Sequence, residues 1–248
     1  MIDIAIPLKR IPGFKVYHRW LYDHPATSDA GRLAVYYQCQ SVRPVFGFHR
    51  EAKFTIITDL KPAAESILAQ FEKNTQYEVR RAMKDGVQFE VVVERSEFHN
   101  FFGEFALSKN LPAMEGRQLA AYWPNLIVTG ALLDGKWAAM HSYLYDGHKK
   151  RAVLLHSASL FRNEGESQKR SMIGRANRLL HYQDMLRLKE RGAELYDFGG
   201  YAKDTQDPDL AGINDFKAGF GGVIIEESNY ISVLLHTLRK GKSLLTRV

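Results

Sequence analysis

The chain has 248 residues, a length at the upper end of what one hydrophobic core holds. Its hydrophobic content of 45% and charged content of 25% are ordinary for a globular protein and exclude collagen-like, low-complexity and disordered classes. The net charge of +6 and pI of about 9.3 indicate an anionic partner, such as nucleic acid, membrane headgroups or a phosphorylated small molecule, or else serve solubility alone.

The cysteine content and the lack of long apolar runs bear on the cellular compartment of the protein. Cys39 is the only cysteine, which excludes an intrachain disulfide and a cysteine-rich zinc site. It lies in a strand-like segment, where cysteine behaves as a small hydrophobe rather than as a nucleophile. Residues 1–10 contain no signal-peptide run, and no segment reaches the roughly 18 apolar residues of a membrane span. We therefore expect a cytoplasmic protein without integral membrane association.

Short strands and turn residues dominate the first third of the chain. Aromatic and β-branched residues predict strands over 14–21, 32–40 and 52–58. A helix is expected to begin near Lys61-Pro62, because proline is favoured in the first turn of a helix. A basic helix over 75–84 should follow, and Asp85-Gly86 should end it before a strand over 87–93.

Two further helices are expected before the centre of the chain, over 97–108 and 114–122. The first carries phenylalanines on one side at helical spacing, a pattern typical of core packing rather than of a cofactor site. They are Phe98, Phe101, Phe102 and Phe105.

The centre of the chain predicts an antiparallel meander joined by two Asp-Gly turns. Its strands are expected over 125–133, 136–145 and 150–158. A long helix over 167–191 follows and ends at Gly192, as C-terminal glycines do. A strand over 194–198, a glycine-containing loop and a strand near 223–225 complete the pattern. The order predicts an α/β fold with a mixed, largely antiparallel central sheet flanked by helices, and excludes a Rossmann repeat.

Three segments resemble the Fem-type peptidyltransferases, which add amino acids to peptidoglycan precursors, and the wider GNAT-like group to which they are related. The first is a helix over 176–192 that runs into YDFGG at 196–200, and the second is FK-x-x-FGG at 216–222. The third is the basic helix, Asp-Gly turn and strand over 75–93. The likeness extends over roughly 55–230 and implies a GNAT-like acyltransferase fold with amide-forming chemistry.

The chain departs from the Fem-type pattern in size. Fem-type ligases usually carry two GNAT-like units, and many carry a helical hairpin arm. Here we expect a single domain, with a reduced strand-rich portion over 1–60, one complete GNAT-like unit over 61–230 and a basic tail over 231–248. The tail residues 239–247 predict a solvated terminal helix, or a peripheral contact with a membrane surface. The resemblance therefore implies fold and chemistry more directly than it implies peptidoglycan.

The resemblance implies a catalytic lysine, and the residues offer two candidate bases. In the family, the lysine that corresponds to Lys217 lies in the acyl-transfer site, where a cation can hold a donor phosphate or the oxyanion of the tetrahedral intermediate. Without the motif, Lys217 would be interpreted as a surface lysine. Asp197 and Asp215 are candidates to accept the proton of the incoming amine, and each could equally cap a loop or pair with a cation.

Further residues near these motifs are candidates to contact the substrate. Gly199 and Gly200 allow a close backbone approach, although glycine turns are common. Tyr196 alternates into the core, and a lone strand histidine is usually a satisfied structural group. The predicted substrate-binding residues are Phe216, Tyr196, Tyr201, Gly199, Gly200 and His156.

The start of the long helix is basic, since residues 162–191 hold eight Lys or Arg against four Asp or Glu. Helix N-termini bind phosphate through free backbone N–H groups. CoA-dependent GNAT enzymes place a Gln/Arg-x-x-Gly-x-Gly/Ala loop there, and Ser171–Ala176 is a degenerate match. The predicted donor-phosphate residues are Arg170, Ser171, Gly174, Arg175 and Ala176. The donor stays open between aminoacyl-tRNA, which the Fem-like segments favour, and an acyl-CoA or acyl carrier thioester.

We therefore predict an N-acyl or aminoacyl transferase without a tightly bound cofactor or a metal site. Its acceptor would be an amine on an amino sugar, a peptide or a small metabolite in cell-wall, polysaccharide or natural-product synthesis. One alternative is a conventional acyl-CoA-dependent GNAT N-acyltransferase. Another is a non-catalytic module that binds RNA or a partner on the same fold.

Overall fold

The computed structural model describes residues 1–8, 13–163 and 165–245. They belong to two compact units, Met1–Thr55 with Ile224–Val248, and Ile56–Val223. The single domain expected from the sequence, with its complete unit over 61–230, stays a prediction. The last residues of the predicted basic tail, 246–248, lie outside the described residues.

The strands, in chain order, are β1 (Ile2–Pro7), β2 (Lys15–Trp20), β3 (Ala34–Cys39), β4 (Phe48–Asp59), β5 (Gln88–Val91), β6 (Leu126–Leu133), β7 (Lys136–Asp146), β8 (Arg151–Ser159), β9 (Leu195–Asp197) and β10 (Val223–Ser232). The α-helices are α1 (Ala64–Ala69), α2 (Lys73–Lys84), α3 (Arg95–Ser108), α4 (Gly116–Tyr122), α5 (Ser167–Glu190), α6 (Pro208–Ala218) and α7 (Val233–Leu245).

The first unit is built on β1, β2, β3 and β10. β1 pairs antiparallel with β2, β2 parallel with β3, and β3 antiparallel with β10. Its core includes Tyr36, Phe48 and Tyr230 together with Cys39, which is fully buried. The interpretation of Cys39 as a small core hydrophobe agrees with this placement. β1 was not expected from the sequence, although Ile2, Ile4 and Ile6 alternate as strand residues do.

The second unit contains the predicted meander and carries the candidate site. Its strands follow the order β4-β9-β8-β7-β6-β5. β8 and β9 run parallel, and the other pairings described within this unit are antiparallel. The predicted α/β class, with a mixed and largely antiparallel sheet flanked by helices, is confirmed.

The two Asp-Gly turns of the meander are made differently. Asp134 and Gly135 both have positive φ, 49° and 72°, as a two-residue hairpin requires. In the second turn, the Asp146 side chain accepts hydrogen bonds from the backbone N–H groups of His148 and Lys149, and Lys150 takes the positive φ. Both turns join the strands where the sequence predicted.

The phenylalanine side of α3 is core, as predicted. Phe98, Phe101 and Phe105 are buried against Val128 and Met140. A second cluster lies between α5 and the sheet, where burial of large side chains supplies most of the stabilising free energy. Its fully buried aromatic members are Tyr143, Tyr196, Phe198 and Phe220.

The segment expected to be a loop between β9 and β10 contains a helix, α6. Asp207 caps it by accepting hydrogen bonds from the backbone N–H groups of Asp209 and Leu210, and Pro208 occupies its first turn. Gly212 inside the helix lowers its helical propensity and obscured it in the sequence. The expectation of a loop over 208–218 is therefore wrong.

The chain after 222 also differs from the expectation. β10 continues to Ser232, seven residues beyond its predicted end, and α7 begins directly after it. The predicted terminal helix therefore exists but starts at Val233. In the described part of the chain, no helix has both the length and the hydropathy that a membrane span demands.

Candidate functional site

A cavity of about 500 Å³ lies in the second unit, beyond the point where the β8–β9 pairing ends at Val153 and Asp197. Its size is in the range of small-molecule sites. Its polar lining comes from Ser157, Ser159, Asn177, His181, Lys217, Lys109 and Asp209. Its apolar lining comes from Phe105, Leu111, Leu154, Leu155, Phe198, Leu210, Ile213 and Phe216. A largely apolar wall with a few convergent polar groups is typical of a ligand site.

Lys217 lies in the last turn of α6 and reaches into this cavity. Its ammonium donates hydrogen bonds to the carbonyl oxygens of Gly199, at 3.0 Å, and Gly200, at 2.6 Å. Burial lowers the pKa of Lys217 from 10.5 to about 8, while the charge of Asp197 opposes this shift. The side chain therefore carries its positive charge at neutral pH.

Gly199 is required by the tight packing at the end of β9. Its φ is +61°, and a Cβ there would overlap the carbonyl oxygen of Leu154. A glycine therefore allows the backbone to approach β8 this closely. Gly199 also lines the cavity, and its carbonyl oxygen accepts a hydrogen bond from Lys217.

Asp197 is held by a buried ion pair. Its Oδ2 accepts hydrogen bonds from Nε and Nη2 of Arg151, and its Oδ1 accepts one from the backbone N–H of Gly199. The residue is fully buried and is not among those that line the cavity. These contacts stabilise the β8–β9 junction, and the predicted role of Asp197 as a base stays a prediction.

The remaining candidates near the motifs divide into two groups. Phe216 lines the cavity with Lys217, whereas the neighbouring Asp215 is exposed on α6 and does not. Gly200, Tyr196, Tyr201 and His156 do not line it either. His156 lies 2.7 Å from the Ser142 hydroxyl, and burial lowers the pKa of its imidazole to about 4.

The predicted donor-phosphate residues lie inside α5, which begins at Ser167, and not in a loop. Ser171 donates its hydroxyl to the Ser167 carbonyl, and Arg175 donates to Asp85 at 3.0 Å. Ala176 is fully buried, and Arg170 is exposed. The helix predicted over 167–191 is therefore observed, and the backbone N–H groups at this depth in a helix are used within it. A donor-phosphate role for these side chains stays a prediction.

A chain of buried hydrogen bonds runs from the cavity into the core. His181, on α5, lies with Nδ1 2.7 Å from the Tyr196 hydroxyl, which lies 2.8 Å from the Tyr143 hydroxyl. Tyr143 in turn donates to Oδ2 of Asp184 at 2.5 Å. His141 lies on the far side, with Nδ1 2.8 Å from the same Asp184 oxygen.

Burial determines the protonation states of the side chains in this hydrogen-bonded series. It lowers the pKa of His181 well below 6.5, and the positive charges of Lys217 and Arg178 act in the same direction. It raises the pKa of both Tyr143 and Tyr196 well above 10, and the charge of Asp184 adds to this shift. At neutral pH, His181 is therefore uncharged and both tyrosines keep their protons.

The Nε2 atom of His181 has no hydrogen-bonding partner within residues 1–8, 13–163 and 165–245. The side chain is only 1% exposed, and it is surrounded by the rings of Phe198, Phe216 and Phe220 at centroid distances of 5.0–5.5 Å. His181 is one of the residues that line the cavity, and its Nε2 is a buried atom.

The sequence analysis did not select His181, but a signal for it exists. Asn177, His181 and Asp184 recur at spacings of four and three residues, which places them on one face of a helix. That face is otherwise apolar, and all three residues are buried. Because buried polar groups need partners or a function, a polar stripe on the core face of a helix indicates a network. Among the described residues, no three His, Cys, Asp or Glu side chains are grouped as metal ligands would be.

Comparisons with known proteins identify the fold. No protein-family model matches the sequence, and no curated protein matches it. FemX has a similar structure, with a TM-score of 0.64 at 13% identity over 96% of this chain and 85% of that one. L-PGS from Bacillus licheniformis matches with a TM-score of 0.52 at 14% identity, over 89% of this chain and 75% of that one.

A third solved structure is the C-terminal DUF2156 domain of an Agrobacterium fabrum protein assigned as a lysylphosphatidylglycerol synthetase. It matches with a TM-score of 0.50 at 18% identity, over 92% of this chain and 84% of that one. Identities this low establish the fold alone. The chain therefore has a Fem-like fold, as the resemblance of its motifs implied.

Proposed function

We propose that the protein transfers an acyl or aminoacyl group from an ester or thioester donor to an amine and so forms an amide. The observation that carries this proposal is the position of Lys217. Its charged ammonium lies at the wall of a small-molecule-sized cavity, in a chain with the fold of FemX. An amine that attacks an ester or thioester develops negative charge on the carbonyl oxygen, and a fixed cation next to that oxygen lowers the barrier.

The geometry around Lys217 supports this role. The carbonyl oxygens of Gly199 and Gly200 hold two of its three ammonium N–H groups, which fixes the charge in place before substrate binds. A preorganised charge stabilises a developing oxyanion more than a mobile, solvated charge does. Lys217 would therefore contact the carbonyl oxygen of the donor.

We propose aminoacyl-tRNA as the donor in preference to acyl-CoA or an acyl carrier thioester. The Fem-like motifs and the net charge of +6 favour an anionic macromolecule. One similar structure carries the name of a lysylphosphatidylglycerol synthetase, which describes an aminoacylated product. Ester and thioester donors of these kinds are made in the cytoplasm, and we place the reaction there.

The acceptor is proposed to be a small molecule or peptide with an amine next to an apolar group. Leu154, Leu155, Leu210 and Ile213 would bury the apolar part, while Ser157 and Asn177 would orient polar groups. Amino sugars and peptides of cell-wall, polysaccharide or natural-product synthesis fit this description.

The test is a transfer assay with hydroxylamine as the acceptor and three kinds of donor supplied separately. The donors are a mixture of aminoacyl-tRNAs, acetyl-CoA and a long-chain acyl-CoA, and the product is the hydroxamate after subtraction of the enzyme-free rate. We expect transfer from aminoacyl-tRNA and a loss of about 100-fold or more in Lys217→Met, the cost typical of removing an oxyanion-stabilising group.

Lys203→Met is the matched control, because Lys203 is an exposed lysine of the same β9–α6 connection that does not line the cavity. It should transfer at the wild-type rate. Transfer from a CoA thioester alone would replace the tRNA donor with the conventional N-acyltransferase reaction. Binding of tRNA without transfer from any donor would favour a non-catalytic RNA-binding module.

A further inference from the structure

We infer that His181 is the group that accepts the proton of the attacking amine, and that Tyr196, Tyr143 and Asp184 hold it in the one tautomer that can do so. The inference rests on the proposed function and names a catalytic residue for it. It starts from Nε2 of a buried histidine, an atom for which the described residues offer no hydrogen-bonding partner, in a side chain that lines the same cavity as Lys217.

The direction of the hydrogen-bond chain determines the tautomer. The carboxylate of Asp184 can only accept, so the single hydroxyl proton of Tyr143 is donated to it. Tyr143 must then accept from the Tyr196 hydroxyl, and Tyr196 must accept from Nδ1–H of His181. A neutral imidazole carries one N–H, so Nε2 keeps a free lone pair.

Lys217, which would hold the oxyanion, and His181 line the same cavity together with Phe216 and Phe198. An amine bound there can meet the donor carbonyl beside one group and lose its proton to the other.

The reaction balances with His181 as a carrier. The amine nitrogen attacks the acyl carbon, a C–N bond forms, and one N–H proton passes to Nε2 of His181. The bond from the acyl carbon to the ester oxygen or thioester sulfur then breaks, and the leaving group takes that proton from the imidazolium. The products are the amide and the alcohol or thiol, and His181 returns to its neutral form.

The carboxylates selected from the sequence are less suited to this step. Both oxygens of Asp197 already accept hydrogen bonds, from Arg151 and from the Gly199 N–H, and Asp215 is exposed on α6 away from the cavity lining. His181 differs from both because its Nε2 is buried and has no hydrogen-bonding partner within the described chain, in a residue that lines the cavity.

The test uses His181→Asn in the hydroxamate assay, with the donor that the wild-type protein accepts. The asparagine amide can still donate to Tyr196 in place of Nδ1–H, but it offers no base in place of Nε2. We expect kcat to fall about 100-fold or more with KM within about threefold, as expected for the loss of a general base. In His181→Ala, added imidazoles should restore part of the rate, in proportion to their basicity.

His18→Asn is the matched control, because His18 is another buried histidine whose pKa burial lowers, to about 4, and it does not line the cavity. Its kcat should equal that of the wild type. The positioning residues are tested with Tyr196→Phe, which removes the acceptor for Nδ1–H but keeps the ring. Nitrogen NMR of ¹⁵N-histidine protein should show Nδ1–H with a bare Nε2 at His181 in the wild type, and a mixture of tautomers in Tyr196→Phe.

The possible outcomes separate the inference from the proposed function. If the wild type transfers and His181→Asn transfers within threefold of it, the inference is overturned and the function stands. A wild-type spectrum with the proton on Nε2 also overturns the inference, whatever the activity. If the wild type transfers from none of the donors, the proposed function is overturned and the catalytic role of His181 with it, while the spectrum still reports the tautomer.

Discussion

At the scale of single residues, the charge of Lys217 makes the transfer rate depend on pH. Its pKa of about 8 means that the cation is lost as pH rises through 8. With hydroxylamine, an acceptor that is already neutral in this range, kcat should fall about tenfold per pH unit above that value. Lys217→Arg, whose guanidinium stays protonated, should move this fall to higher pH.

The lowered pKa of Lys217 makes the free energy of unfolding rise with pH, whereas kcat falls with pH. Between about pH 8 and 10.5, this lysine binds a proton in the unfolded chain but not in the folded protein. The contribution of Lys217 to the free energy of unfolding therefore rises with pH across that window. An alkaline limb of kcat that appears only near pH 10.5 would contradict the assignment of the lowered pKa to Lys217.

Gly199 and Gly200 offer a second residue-scale prediction. Both have positive φ, but only at Gly199 would a Cβ also overlap the Leu154 carbonyl oxygen. Gly200→Ala should cost about 1–2 kcal/mol of unfolding free energy, the cost of left-handed backbone. Gly199→Ala should cost more, because β8 or β9 must also move. Urea denaturation measures both, and equal losses would show that the close approach at Gly199 is not tight.

At the scale of elements, the start of α6 determines where Lys217 lies. Asp207→Ala removes the cap of a helix that carries Ile213, Phe216 and Lys217 to the cavity. We expect a loss of about 1 kcal/mol in unfolding free energy and a higher KM for the acceptor. Asp207→Asn keeps a capping oxygen and should behave as the wild type. An unchanged KM in Asp207→Ala would show that this cap does not determine where the α6 residues that line the cavity lie.

The elements also show which sequence patterns are reliable. The meander of β6, β7 and β8 was predicted closely, because alternating apolar residues and Asp-Gly turns are local signals. Helix α6 was missed, because Gly212 and the nearby glycine-rich motif resemble a loop. The Asp207-Pro208 pair that starts the helix is only a short signal in the sequence. The FK-x-x-FGG motif was recognised in the sequence, but the sequence analysis did not predict that its Phe216 and Lys217 lie in a helix.

At the scale of the whole molecule, the net charge of +6 predicts how donor binding depends on salt. If the donor is aminoacyl-tRNA, several phosphates are neutralised on binding and their counterions are released. The Kd for tRNA should then rise about tenfold or more between 50 and 200 mM salt. The Kd for acetyl-CoA, which has few phosphates, should rise less. Equal salt dependence for both ligands would argue against tRNA as the donor.

The candidate site was predicted in part. Lys217, Phe216 and Gly199 were selected from motifs, and all three line the cavity. His181 was not selected, because the hydrogen bonds that reveal it involve Tyr196 and Tyr143 on other strands. A histidine in a helix has many structural interpretations until its neighbours are known.

The amino-acid sequence by itself determined the fold class, the order of most elements and the resemblance to Fem-type enzymes, because periodicity, turns and short motifs are properties of neighbouring residues. Only the tertiary structure decided which side chains share the cavity. Asp197 is paired with Arg151, Asp215 is exposed, and Nε2 of His181 has no hydrogen-bonding partner in the described part of the chain. These differences arise from contacts between residues far apart in the chain, whose distances and burial no local pattern contains.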